Sequence, residues 1–241
     1  MIVRLMLLAS LMVADAFGHG YMVVPLARQR RCYEAQDYYW PFDGSGIENG
    51  GCRKAYQHVY RKSGSAAAQA MFDQSTEYAA IAGPNYEDHN HIRNTVVPDT
   101  LCGAGARDAW SRFGDKSGVD VVSEQWFPNV LERRPIVDMY FCPTAIHEPS
   151  YFEVYVTRDD YRVGVDAVTW EILTLVYRNS SNLVHDEVVQ GCDSGAVYRL
   201  NGVPLPNRSQ AFVVYVRWQR EDAIGEGFYN CADVVFAHNE L

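Results

Sequence analysis

The chain has 241 residues, a formal net charge of −9, 48% hydrophobic residues and 13% aromatic ones. That length suits one large domain or two small ones, and the acidic balance argues against nucleic acid, whose phosphates select clusters of Lys and Arg. After residue 18 no apolar run is long enough to cross a membrane, so no membrane partner is expected.

Residues 1–18 read as a secretory signal peptide, with Arg4 at the charged start, an apolar run over 5–14, and Ala16-Phe17-Gly18 as a small-residue cleavage site. Cleavage after Gly18 makes His19 the first residue of the mature chain; cleavage after Ala16 leaves Phe17 first. An N-terminal histidine offers two nitrogen ligands, its α-amine and its imidazole, and an all-nitrogen planar set favours Cu(II). Seven histidines in 241 residues also allow a histidine here by chance.

The mature part, 19–241, is expected to be one secreted domain. From about 33 to 134 no strand rhythm is present. Trp40-Pro41, Gly44-Ser45-Gly46, Gly50-Gly51 and Gly103-Ala104-Gly105 mark loops. An Ala-rich stretch over 65–81, stopped by Gly83-Pro84, predicts one helix. This region reads as a long, partly helical, disulfide-tied insertion.

From residue 137 onward strands dominate. They are predicted over 137–141, 151–157, 168–177, 210–218 and 228–236, and in 210–218 the residues Phe212, Val214, Val216 and Trp218 share one face. Turn residues at 158–160, 179–182, Asn201-Gly202 and 204–207 separate them. Short strands at this spacing predict a mainly β fold, an immunoglobulin- or fibronectin-III-like antiparallel β-sandwich.

The six cysteines are Cys32, Cys52, Cys102, Cys142, Cys192 and Cys231. An even number in a secreted chain predicts three disulfides, and the absence of C-x-x-C argues against zinc. Of the roughly 15 connectivities, Cys32–Cys52 is the natural local pair. Sequons at Asn179 and Asn207 are weak signals of a glycoprotein.

A second histidine on a rigid element would complete a nitrogen site with His19. The alternatives are His58, His89, His91, His147, His185 and His238. His147 stands out because it lies just before the strand at Tyr151, where a strand edge can hold an imidazole. His89 and His91, two apart beside Asp88, could form a separate metal pair or a solvated polar loop.

Several long segments carry a family resemblance. They include His19-Gly20-Tyr21, Pro25-Leu26-Ala27-Arg28-Gln29, residues 77–86 starting at Glu77, Leu101-Cys102-Gly103-Ala104-Gly105, residues 142–156, residues 215–220, and residues 225–233 around Phe228. Together they resemble the chitin-active lytic polysaccharide monooxygenases, and within them the viral fusolin, or spindle, proteins. The resemblance implies one copper ion held by His19 and His147 in a T-shaped three-nitrogen site. It places Phe228 at the axial position, Ala145 against the other axial side, and Glu77 as a carboxylate behind the ligands, although Glu77 also reads as a plain helix-face residue. It implies chitin as partner, a small-molecule reductant, hydrogen peroxide or dioxygen as co-substrate, and oxidation at C1. It further implies an infection-enhancing role against the chitinous gut lining of insects.

Tyr21, Tyr33 and Trp40 are the substrate-surface candidates, each equally readable as buried packing. Fusolins usually carry a C-terminal extension that helps build spindles. The last expected strand ends shortly before Leu241, as in a truncated or a short family member, so the resemblance implies self-assembly into crystals but not through such a tail. The alternative readings are a non-catalytic chitin-binding or spindle-forming protein and a copper carrier. Carriers often add methionine ligands, and the mature chain has only Met22, Met71 and Met139, none paired.

Overall fold

The computed structural model describes residues 19–237, so the expected signal segment 1–18 and His238 lie outside the described residues. In chain order the strands are β1 (His19–Val24), β2 (Ala79–Ile81), β3 (Asn129–Leu131), β4 (Ile136–Ala145), β5 (Ser150–Thr157), β6 (Leu173–Ser180), β7 (Leu183–His185), β8 (Ala196–Pro204), β9 (Phe212–Arg220) and β10 (Glu226–Phe236). Helices α1 (Arg28–Ala35) and α2 (Gly50–Asp73) lie between β1 and β2. One sheet runs β1-β4-β8-β7; the other runs β2-β10-β9-β5-β6, with β3 added in parallel to β10. The remaining pairings are antiparallel, and the two sheets form the expected sandwich.

The core has two layers, and β9 belongs to both. Phe212, Val214, Val216 and Trp218 face the space between the sheets with Met22, Phe141, Phe152, Tyr198 and Phe228. The opposite face of β9 is buried as well, because Val213 and Tyr215 pack beneath the 28–126 segment with Tyr56, Phe72, Tyr78 and Trp126. A strand covered on both sides reads as a continuous apolar run, which the sequence V-V-Y-V satisfies.

Several expectations are corrected. The helix predicted over 65–81 instead occupies Gly50–Asp73, with a break at Gly64 (φ 83°), and its expected tail is strand β2. Asn49 caps the helix start by accepting from Cys52 N at 3.1 Å. The tail leaves helix because Ala79, Ala80 and Ile81 pair with Phe228, Gly227 and Glu226 on β10, a long-range contact that overrides alanine's local preference. The strand expected over 168–177 begins only at Leu173, since Trp170–Ile172 forms one 3₁₀ turn, with Trp170 Nε1 donating to Val97 O at 2.7 Å. Asn201-Gly202 is no turn but a bulge within β8. Between the pairs Val137↔Val203 and Met139↔Leu200 two residues oppose one, and Gly202 N donates to Asp138 Oδ1 at 2.8 Å. Helix α1 and strands β7 and β8 were not anticipated.

The disulfides are Cys32–Cys52, as expected, with Cys102–Cys231 and Cys142–Cys192. The first joins α1 to α2, the second ties the segment between β2 and β3 to β10, and the third ties β4 to the loop before β8.

Candidate metal centre

His19 opens β1 and lies opposite Ala145, the last residue of β4. His147 follows two residues later, before β5 begins at Ser150. The antiparallel register therefore sets His19 and the His147 segment at one end of the four-stranded sheet. Its tightness depends on Gly20: a Cβ there would stand 2.3 Å from Phe141 Cε1 and 2.7 Å from Cys142 O. Glycine is thus required by close approach of β1 to β4.

The His147 backbone is held from both sides by one phenol. Its N–H donates to Tyr198 Oη at 3.1 Å, and the Tyr198 hydroxyl donates to His147 O at 3.0 Å. Burial pushes the Tyr198 phenol up to about 12, so it keeps its proton at neutral pH.

On the other side, Glu77 Oε1 lies 3.4 Å from His19 Nε2, with the two side chains 32% and 30% exposed. Gly20 N donates to Thr76 O at 3.0 Å. The turn after α2 thus touches both the His19 ring and the backbone beside it. Ala145 is half-buried.

Phe228 is 1% exposed and sits in register between Ala79 on β2 and Trp218 on β9. Its ring is 5.0 Å from that of Trp218, which in turn is 6.4 Å from the His147 ring. Trp218, itself fully buried with Nε1 donating to Ser150 Oγ at 2.9 Å, forms a floor shared by Phe228 and His147. Sequence reasoning placed Trp218 on a core face and missed this role. It missed Tyr198, Thr76 and Gly20's packing role too, because each acts across a long sequence separation.

The surface candidates divide. Tyr21 is 2% exposed, its hydroxyl donates to Gly191 O at 2.7 Å, and Arg30 covers its ring at 4.2 Å, so the ring is not open to a polymer. Tyr33 is half-buried, packed against the helical core and under Arg30 at 4.7 Å. Trp40 is 70% exposed and meets the exposed Phe42 edge-on at 4.8 Å, with exposed Tyr39 beside them. Tyr39 donates to Asp73 Oδ1 at 2.7 Å, which joins these aromatics to the end of α2.

His89 and His91 form no common centre: His89 Nε2 faces Glu153 Oε1 at 3.4 Å, whereas His91 Nε2 is 3.1 Å from Ala82 O. Among the described residues no three side chains of His, Cys, Asp or Glu group to hold a metal. A nitrogen site made from His19 and His147 would need no third side chain if cleavage after Gly18 freed the His19 main-chain nitrogen. Two imidazoles and such an amine, near apolar Phe228 and Trp218, would suit copper.

Residues 19–234 match the family described as lytic polysaccharide mono-oxygenase, cellulose-degrading. The chain is 43% identical over 258 aligned positions to spindolin of Choristoneura biennis entomopoxvirus, covering 99% of this chain and 75% of that protein. The structure of Anomala cuprea entomopoxvirus fusolin spindles superposes with a TM-score of 0.86 at 47% identity, covering 91% of this chain and 90% of that one. An entomopoxvirus fusolin described for virulence enhancement and crystallization into viral spindles, in complex with zinc, has a TM-score of 0.86 at 48% identity, over 92% of this chain and 77% of its own. With the β-sandwich and these relatives in agreement, the chain belongs to the lytic polysaccharide mono-oxygenase family, and it is similar to the spindolins and fusolins of entomopoxviruses.

Proposed function

We propose that the mature chain is a secreted, copper-dependent monooxygenase that cleaves chitin oxidatively at C1 and so loosens the chitinous gut lining of insects. The observation that carries this reading is the β1–β4 register, which sets His19 opposite Ala145, two residues from His147. The zinc complex of a fusolin 48% identical to this chain supports metal binding in this group of proteins.

His19 and His147 would hold one copper ion, which supplies one-electron redox chemistry toward a small-molecule reductant and hydrogen peroxide or dioxygen. Signal cleavage after Gly18 frees the His19 α-amine. That amine must lose a proton from a group of ordinary pKa ~8 before it can ligate. The Glu77 carboxylate, 3.4 Å from His19 Nε2, would hold the ring orientation, as carboxylates behind ligand histidines do. The buried Phe228 ring would keep water and further polar ligands from the site, and the Ala145 methyl, opposite His19 in the register, would limit access to it. Exposed Trp40, Phe42 and Tyr39 offer aromatic faces for pyranose rings on a flat polymer surface.

Mass spectrometry of β-chitin and, separately, cellulose incubated with copper-loaded protein and ascorbate tests the reading. C1-oxidised chito-oligosaccharides are expected. Oxidised cello-oligosaccharides alone would move the substrate to cellulose, the polymer in the family description. Chitin binding without any oxidised product would favour the second reading, a non-catalytic spindle protein, which the fusolin spindle structures among the relatives support. Intact mass of the secreted protein decides whether His19 is its first residue.

A further inference from the structure

Lys116 is buried to 1% exposure against the turn that precedes Glu77. Its own N–H donates to Ala106 O at 2.9 Å, which fixes its backbone within the disulfide-tied segment. Its ammonium donates to Gln74 Oε1 at 2.7 Å, reaches Ala70 O at 3.5 Å, and lies 5.2 Å from the centre of the Tyr78 ring. These partners are the last turn of α2 and the turn that follows it.

That turn is tied back to the end of α2. Gln74 N donates to Ala70 O and Glu77 N to Gln74 O, each at 3.0 Å, and the Tyr78 hydroxyl donates to Met71 O at 2.8 Å. Its free side faces β1: Thr76 O accepts Gly20 N at 3.0 Å and Glu77 Oε1 meets His19 Nε2 at 3.4 Å. One buried amine therefore grips the segment that meets the start of β1 at the His19 ring and the Gly20 backbone.

Taking an ammonium out of water is costly. Burial lowers Lys116 to about 7, against the pull of Glu77, Asp115 and Asp73, of which Glu77 acts most strongly. A methionine would fill much of the same space without that cost, so the amine itself needs an explanation. Its bond to Gln74 supplies one.

We propose that Lys116 is a positioning residue that pins the 74–77 turn, so that Glu77 stays on the His19 ring and Thr76 on Gly20. This rests on the reading of His19 as a metal-binding residue and adds to it a support reaching into the 106–117 loop.

The test is copper titration by calorimetry, electron paramagnetic resonance of the Cu(II) form and thermal melting. It compares the mature chain with Lys116→Met, Glu77→Gln and the double variant. Lys116→Met is expected to weaken copper binding about tenfold, the lower end of what groups behind a metal ligand contribute, and to alter the Cu(II) spectrum. In the Glu77→Gln background it should add little, because both changes release the same ring. Wild-type affinity and spectrum with only a lowered Tm, or full additivity in the double variant, would overturn the proposal and leave Lys116 a structural residue. If Lys116→Met does not fold, Gln74→Leu removes the acceptor from the turn and carries the same expectation and the same refutation. Absence of copper binding in the unsubstituted chain, or full affinity in His147→Ala, would sink the metal reading and this proposal with it. That outcome is separable because it does not involve Lys116.

Discussion

At the scale of single residues, the centre depends on small side chains as much as on its histidines. Gly20 gives the clearest case, since any Cβ there collides with Phe141 and Cys142 O. Gly20→Ala must push β1 off β4 and carry His19 with it. Overpacking of this kind costs about 1–3 kcal/mol, so a lower denaturation midpoint together with weaker copper binding is expected. Wild-type values for both would contradict the close approach. The sequence singled out His19 by its place after the expected signal segment and His147 by its place before a strand, and the β1–β4 register brings their segments to one end of a sheet. Tyr198, which clamps the His147 backbone, carries no sequence signal at all; it is 51 residues away.

At the scale of elements, β9 links stability to the site. Period-two alternation correctly assigned Phe212, Val214, Val216 and Trp218 to one face, but the other face is buried too, so alternation between apolar and polar is absent. Trp218 touches Phe141, Phe152, Tyr198, Phe228 and His147. Trp218→Ala should cost about 3–5 kcal/mol in a urea titration and remove the floor beneath His147. Trp218→Phe should retain most of the stability; equal losses for both would point to the indole hydrogen bond to Ser150 rather than packing. Strand β2 shows the opposite lesson. Its alanines look helical, and only the partner strand makes them β.

At the scale of the whole molecule, the segment between β1 and β4 is fastened to the sandwich by buried polar groups as well as by Cys102–Cys231. Arg28 makes two 2.7 Å contacts to Asp233 on β10 and donates to Val119 O at 2.9 Å. Asp120 accepts from Cys102 N and Gly103 N at 2.8 and 2.7 Å, yet burial still pushes it up to about 7. The unfolded chain loses that proton near 3.8, so the Asp120 contribution is full below 3.8 and is lost as pH rises to about 7. Lys116 acts in the reverse sense: lowered from 10.5 to about 7, it burdens the fold below 7 and the burden lifts as pH rises toward 10.5. Thermal melts across this range should show a stability minimum near pH 7 from these two groups. Asp120→Asn should flatten the acid limb and Lys116→Met the alkaline one. An unchanged profile in both variants would refute the assignment.

The sequence by itself determined the class of fold, strands β4, β5, β9 and β10 and one disulfide, because hydrophobic periodicity and local cysteine spacing are properties of short stretches of chain. The tertiary structure alone decided which aromatics are open to a polymer and which are core, separating Trp40 from Tyr21. It alone turned the alanines of 79–81 into a strand and clamped the His147 backbone with Tyr198. Those outcomes depend on contacts between residues tens to hundreds of positions apart, and no local pattern encodes which distant partner will arrive.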